Sequence, residues 1–167
     1  MLYSKLGLLS CEHEKVSPGL TLVPTFRGST AKLIDIEGHK VHQWDLPGLL
    51  GSLAYLLPNG NLLCSTVTDE GPPVRQAKGG RLCELNWNSN VVWEYTDHSQ
   101  HHDLRRLSNG NTMYLGWRAM TDTNAARVRG GIARMEKFTK IMFEKFRQRE
   151  KLSGSGRPLN WILNVTH

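Results

Sequence analysis
Apolar positions fall in short runs bounded by turn residues, which is the pattern of strands rather than helices. The predicted strands are Gly19–Val23, Leu33–Ile36, Val41–Trp44, Ser52–Leu57, Leu62–Val67, Leu82–Leu85, Val91–Tyr95, Asp103–Leu107 and Thr112–Trp117. Turn chemistry separates them: Glu37-Gly38, Asn59-Gly60, the Asn86–Asn90 stretch and Asn109-Gly110. The Asn-Gly pairs predict type I′ hairpins, because both residues tolerate the positive φ such turns require. Gly71-Pro72-Pro73 opens a longer loop. Beyond Ile132 the period changes. Met135, Phe138, Met142 and Phe146 recur at helical spacing among many charges, which predicts a helix over Ile132–Lys151.

Two stretches of the strand-rich part match at a shift of 49 to 50 residues. Lys32-Leu-Ile-Asp-Ile36, Trp44 and Leu57-Pro-Asn-Gly-Asn-Leu62 are answered by Arg81-Leu-Cys-Glu-Leu85, Trp93 and Leu107-Ser-Asn-Gly-Asn-Thr112. A period of this size is the mark of repeat architecture, and about 50 residues suits one large propeller blade. The expectation is an all-β chain forming a partial β-propeller. It would hold about two four-stranded antiparallel blades and a C-terminal helix or irregular tail. A β-sandwich is the rival all-β arrangement, but sandwiches seldom repeat their sequence so closely. At 167 residues the chain is shorter than a closed ring of 4–8 blades.

Charge changes this picture little. The net charge is +6, but residues 132–167 hold eight Lys/Arg against three Glu, so the remainder carries a net +1. A nucleic-acid surface would be a basic patch on the folded body, so no nucleic-acid partner is expected. No apolar run approaches the ~20 residues of a membrane-spanning helix. Cys11, Cys64 and Cys83 are odd in number and lack CxxC spacing, so neither a disulfide framework nor a metal site follows from them, and buried thiols are expected.

Val91-Val-Trp-Glu-Tyr95, followed by His101-His102-Asp103-Leu104 and Asn109-Gly110-Asn111, is similar to the arylsulfotransferase repeat, in which His-His-Asp precedes an Asn-Gly-Asn hairpin. Gly19-Leu-Thr-Leu22, Leu33–Trp44 and Ala125–Gly131 resemble further parts of that family, and the likeness covers about residues 17–132. It implies a six-bladed propeller that moves a sulfuryl group from a phenolic sulfate donor to a phenol acceptor by way of a histidine. It implies no cofactor. The family's export implies a periplasmic location, although Met1–Cys11, with one Lys and the short apolar patch Leu6–Leu9, is too short for a secretory signal. The family's transiently sulfated histidine matches no residue of this chain. Two blades cannot close a ring, so the chain alone is expected to be inactive, needing missing blades or self-association. The intact parent would be the enzyme. A non-catalytic propeller used for binding is the alternative.

By this resemblance His102 and His101 are the candidate catalytic residues, with Asp103 and Arg118 as substrate-binding candidates. The first repeat has Gly51-Ser52-Leu53 where the second has His101-His102-Asp103, so the scaffold does not demand histidines there. On a regular strand consecutive side chains face opposite ways, so one histidine, His102, is assigned to the channel and the other to packing. The bland alternative makes both structural, with Asp103 capping a turn or pairing with Arg105 or Arg106. Metal binding by His101 and Asp103 lacks a third ligand at a recognisable spacing, so no metal is expected. Arg118 is placed just past the last strand.

The chain divides into propeller-like residues 17–131 and a basic tail, 132–167. For the tail we hold a second hypothesis, a shifted reading frame. Codons for Arg134–Phe146 can be chosen so that the neighbouring frame reads Lys-Asn-Gly-Lys-Ile-His-Lys-Asp-Tyr-Val-Arg-Lys-Ile. Lys151–Gly156 likewise permits Val-Val-Trp-Glu-Trp, an echo of Val91–Tyr95. The nucleotide sequence decides it: if no neighbouring frame carries an uninterrupted blade pattern, the idea fails.

Overall fold
A computed structural model describes residues 8–72, 77–119, 123 and 138–146. The described residues are all-β, in three antiparallel sheets. The first holds β1 (Thr21–Pro24), β2 (Thr30–Ile34) and β3 (Lys40–Asp45) in that order, after a single 3-10 turn at His13–Lys15. The second holds β4 (Leu50–Leu56), β5 (Leu62–Val67), β6 (Gly80–Leu85) and β7 (Val91–Thr96). The third holds β8 (Gln100–Arg106), β9 (Thr112–Ala119) and β10 (Phe138–Phe146). None of the sheets closes on itself. No helix among the described residues is long and apolar enough to cross a membrane.

Four of the connections are built alike. In each, the first residue's N–H donates to the carbonyl of the fifth, and the fourth residue's N–H returns to the first carbonyl. These turns are Asp35–His39, Leu57–Asn61, Asn86–Asn90 and Leu107–Asn111. Their fourth residues, Gly38, Gly60, Ser89 and Gly110, have φ of 82°, 82°, 63° and 80°. Asn59 and Asn109 do not share the positive φ, so the expected type I′ turns are instead three-residue loops, a type I turn followed by one left-handed residue. The asparagines serve differently: the Asn59 and Asn109 side-chain oxygens accept the N–H two residues on, at 3.1 Å in both.

The second sheet buries an apolar layer on each face. One face joins Leu50, Ala54, Leu62, Cys64, Cys83 and Leu85 to Ala31, Leu33 and Trp44 of the first sheet. On the other, Leu63 and Leu82 pack with Leu104 and Tyr114 of the third. The same positions recur one repeat later, since Leu50, Ala54, Leu62 and Cys64 correspond to Gln100, Leu104, Thr112 and Tyr114, all of them buried. Each large apolar side chain so enclosed contributes on the order of 2 kcal/mol. Trp44 is fully buried, and its indole N–H donates to the Asn86 carbonyl at 3.0 Å, tying the first sheet to a turn of the second. Cys64 and Cys83 lie opposite each other on β5 and β6, both fully buried. Burial raises both thiols, that of Cys83 to about 11, as fits inert apolar packing rather than reactivity. Cys11 departs from the expectation in being only half-buried.

Two expectations are corrected. Each sequence repeat does carry four strands, but they do not make one sheet: β2 and β3 end the first sheet, while β4 and β5 begin the second. The chain changes sheet at Leu46–Leu49, where the N–H groups of Leu46 and Leu50 bond back to Ser29 and Gly28. The second correction concerns the tail. Phe138–Phe146, expected to be helical, is a strand paired antiparallel with β9, from Phe138 opposite Ala119 to Phe146 opposite Thr112. A helix there would leave the outer backbone groups of β9 without partners, and pairing along that edge outweighs a helical spacing of side chains. The remainder of the expected helix, residues 132–137 and 147–151, lies outside the described residues.

Candidate functional site
The site is a bulge. In the pairing of β8 with β9, His101 lies opposite Leu115 and Leu104 opposite Tyr114, so His102 and Asp103 are extra residues with no partner on β9. β4 bulges at the corresponding place, with Leu50 opposite Thr66 and Ala54 opposite Cys64. Bulges re-aim side chains and sharpen the local twist. Here His102 adopts a left-handed backbone, φ 54°. That conformation is uncommon outside glycine but is tolerated by histidine more readily than by branched residues.

Backbone contacts hold the bulge from both sides. The His102 N–H donates to the Ala77 carbonyl at 2.9 Å, Lys78 bridges to His101, and the Gly79 N–H donates to the Gln100 carbonyl at 3.1 Å. From the neighbouring strand the Ser52 hydroxyl donates to the His102 carbonyl. The bulge therefore links β8 to β4 and to the segment that leads into β6.

The strand's irregularity overturns the expectation that the two histidines face apart. Their Nδ1 atoms lie 2.7 Å from each other, with the rings edge to face. His101 is 2% exposed and stacks on Trp117 at a centroid distance of 4.1 Å, whereas His102 is exposed. Burial, with a smaller contribution from the neighbouring His102, lowers the His101 pKa to about 4. His101 is thus a neutral imidazole at pH 7. A hydrogen bond between two such nitrogens needs one donor and one acceptor. If His102 donates from Nδ1, its Nε2 presents a lone pair to solvent.

The other candidates do not converge so closely. The Asp103 carboxylate accepts the N–H of Leu104 at 2.7 Å, a local cap of the kind the structural alternative foresees. Of the two arginines that the structural alternative offers Asp103, the Arg106 guanidinium meets Glu84 at 2.7 Å and Arg105 lies over the Tyr55 ring at 5.2 Å. Arg118 is not past the last strand but within β9, which runs on to Ala119. Its side chain lies outside the described residues. Donor atoms of Asp35, Glu37 and His39 gather within 4.8 Å, but in an exposed turn where His39 already engages Asp35.

Sequence reasoning missed Ser52 and Trp117. The signal for Ser52 is its alignment with His102 one repeat later, which places the two residues in equivalent bulges. Trp117 sits two residues after Leu115, the strand partner of His101, and so on the same face.

No family model and no curated protein matches the chain. Among solved structures, a protein of unknown function from Bacteroides caccae is similar to it at a TM-score of 0.41 and 20% identity. The similarity covers 65% of this chain, which spans 38% of the length of that one.

Proposed function
We propose that the three sheets are part of a β-propeller in which the bulges of β4 and β8 border the central channel, and that the His101–His102 pair serves sulfuryl transfer between phenolic compounds. The observation that carries this reading is the 2.7 Å contact between a buried, neutral imidazole and an exposed one.

His102 is the group that touches substrate, and His101 positions it. A neutral His101 accepts the Nδ1 proton of His102, which fixes the ring and leaves Nε2 free to act as a base. In the donor half-reaction the sulfur–oxygen bond of the phenolic sulfate breaks as the sulfur bonds to a carrier group, and His102, protonated at Nε2, gives that proton to the departing phenol oxygen. In the acceptor half-reaction the carrier–sulfur bond breaks as the acceptor phenol's oxygen bonds to sulfur, and His102 Nε2 takes the phenolic proton, which restores its starting state. The group that carries the sulfuryl between these halves comes from outside this chain, whose role is to supply the acid–base histidine of a larger ring.

The test is an NMR titration of the chain with 4-nitrophenyl sulfate and with phenol, following the imidazole signals. Saturable shifts at His102, absent in His102→Asn and weakened in His101→Phe, are expected. Ligand binding that leaves both imidazoles unmoved would sink the reading.

A further inference from the structure
The contact between the two histidines accounts for one nitrogen of the His101 ring. Nδ1 meets His102 at 2.7 Å, while Nε2 is shut away from solvent with no hydrogen-bond partner among the described residues. Trp117 repeats the situation. Its ring stacks on His101 at a centroid distance of 4.1 Å and an interplanar angle of 25°, and its Nε1 is likewise buried without a partner. Two unpartnered ring nitrogens are thus enclosed on stacked rings, next to the exposed His102.

Their chemistry says what they need. An indole N–H only donates. In the tautomer given above, His101 accepts the His102 proton at Nδ1, so its own proton sits on Nε2 and that nitrogen donates as well. A buried donor left unpaired costs more than an ordinary hydrogen bond returns, and in folded proteins such groups are met by protein or by enclosed water.

We propose that one enclosed water molecule accepts from both His101 Nε2–H and Trp117 Nε1–H. Its oxygen has two lone pairs, one for each donor, and its hydrogens go to the spare lone pairs of backbone carbonyls. Water fits the position better than an anion, because both donors are neutral at pH 7 and a buried charge without compensation is far costlier than a neutral molecule. Lys78 does not supply that compensation: its backbone bridges to His101, but its ammonium donates to the Glu70 carbonyl. An acceptor at His101 Nε2 holds the proton there, leaves Nδ1 to accept from His102, and so keeps the outward nitrogen of His102 a base. The proposal rests on that tautomer and not on sulfuryl transfer.

The test is NMR of the isotope-labelled full chain at pH 7 without added ligand. Nitrogen shifts should place the His101 proton on Nε2. Both ring N–H signals should show direct cross-relaxation with water that stays far longer than surface hydration. Trp117→Phe keeps the stacked ring and removes one donor, so the His101 contact with water should persist with a residence about fivefold shorter, as the loss of one hydrogen bond implies. His101 protonated on Nε2, with no water contact at either nitrogen of the native chain, would overturn the water alone. Protonation on Nδ1 would overturn the site together with the tautomer assigned to the pair. N–H signals that move saturably with added chloride or sulfate would give the position to an anion and overturn the proposal too.

Discussion

Ser52 and His102 stand one repeat apart in sequence and touch in the fold, the serine hydroxyl donating to the histidine carbonyl. Both lie in bulges of the strands that begin their sheets, so the contact joins equivalent irregularities of successive sheets. A bulge leaves backbone groups without ladder partners. At His102 they are satisfied by Ser52 on one side and by Ala77 on the other. The exposed imidazole is therefore carried on a backbone fixed at both its N–H and its carbonyl.

Ser52→Ala should release one side of that clamp. Loss of a single hydrogen bond costs about 1 kcal/mol. Because Ser52 lies outside the paired register, the cost should fall on the bulge rather than on the sheet. Amide exchange at His102 is expected to quicken while exchange along β5 and β6 stays unchanged. Equal exchange at His102 in both proteins would mean that Ala77 and the strand ends suffice.

His101 should make the fold sensitive to acid. Its folded pKa, about 4, lies below the ordinary 6.5, so between these values the unfolded chain binds a proton that the folded chain refuses. Stability is complete above pH 6.5, falls as pH drops through this window, and loses no more from this group below pH 4. The loss amounts to about 3 kcal/mol at most, from 1.36 kcal/mol per pKa unit. Denaturant titrations of the chain and of His101→Phe, which keeps an aromatic ring against Trp117, should differ in slope across that window. Parallel pH profiles would show that His101 is not held neutral by its surroundings.

Much of this architecture was legible in the sequence, because strand and turn signals are local. The runs around Leu62–Val67 and Val91–Tyr95 and the turn positions Gly38, Gly60 and Gly110 all follow from nearby residues. What escaped was decided by partners distant in sequence. β4 pairs with β5 and not with β3, although β3 and β4 are consecutive and belong to one repeat, so the sheets are offset from the sequence unit. Helical spacing from Met135 to Phe146 gave way, over Phe138–Phe146, to the free edge of β9. At the site, the residue types were visible but the bulge was not. Alternation along a regular strand separates His101 from His102, and only the two extra residues opposite β9 bring their rings together.

Glu84 should be the most costly single side chain to remove from the polar interior. Its carboxylate pairs with Arg106, whose guanidinium also lies 4.5 Å from the centre of the Trp93 ring, and it accepts two asparagine amides of the Leu57–Asn61 turn. The two charged side chains are 8% and 10% exposed, so removing Glu84 takes the carboxylate from a guanidinium held away from water, which keeps its bond to the Gly110 carbonyl at 3.2 Å. Breaking such a buried pair costs about 3–5 kcal/mol. Glu84→Ala is expected to lower the unfolding midpoint sharply, and Glu84→Gln, which keeps the acceptor for Asn61, to do so less. A loss below about 1 kcal/mol in Glu84→Ala, the range of an exposed pair, would show the network to be solvated.

Two glycines should respond to alanine for different reasons. Gly60 has φ 82° and nothing within 4 Å of where a Cβ would stand, so Gly60→Ala tests backbone conformation alone. A left-handed non-glycine residue costs about 1–2 kcal/mol. At Gly79 the backbone is ordinary but the space is taken: an added Cβ would fall 1.8 Å from the Gln100 amide oxygen and 2.8 Å from the Ser65 hydroxyl. That oxygen already accepts the Gly80 N–H at 3.1 Å, so it cannot move aside without leaving a buried donor unpaired. Overpacking of about 1–3 kcal/mol then adds to a lost hydrogen bond of about 1 kcal/mol. Gly79→Ala should therefore destabilise the chain more than Gly60→Ala. It should also quicken amide exchange at Gly80 and His102, which Gly60→Ala leaves unchanged. Equal losses from the two substitutions would mean that the junction between β4, β6 and β8 yields more easily than its packing implies.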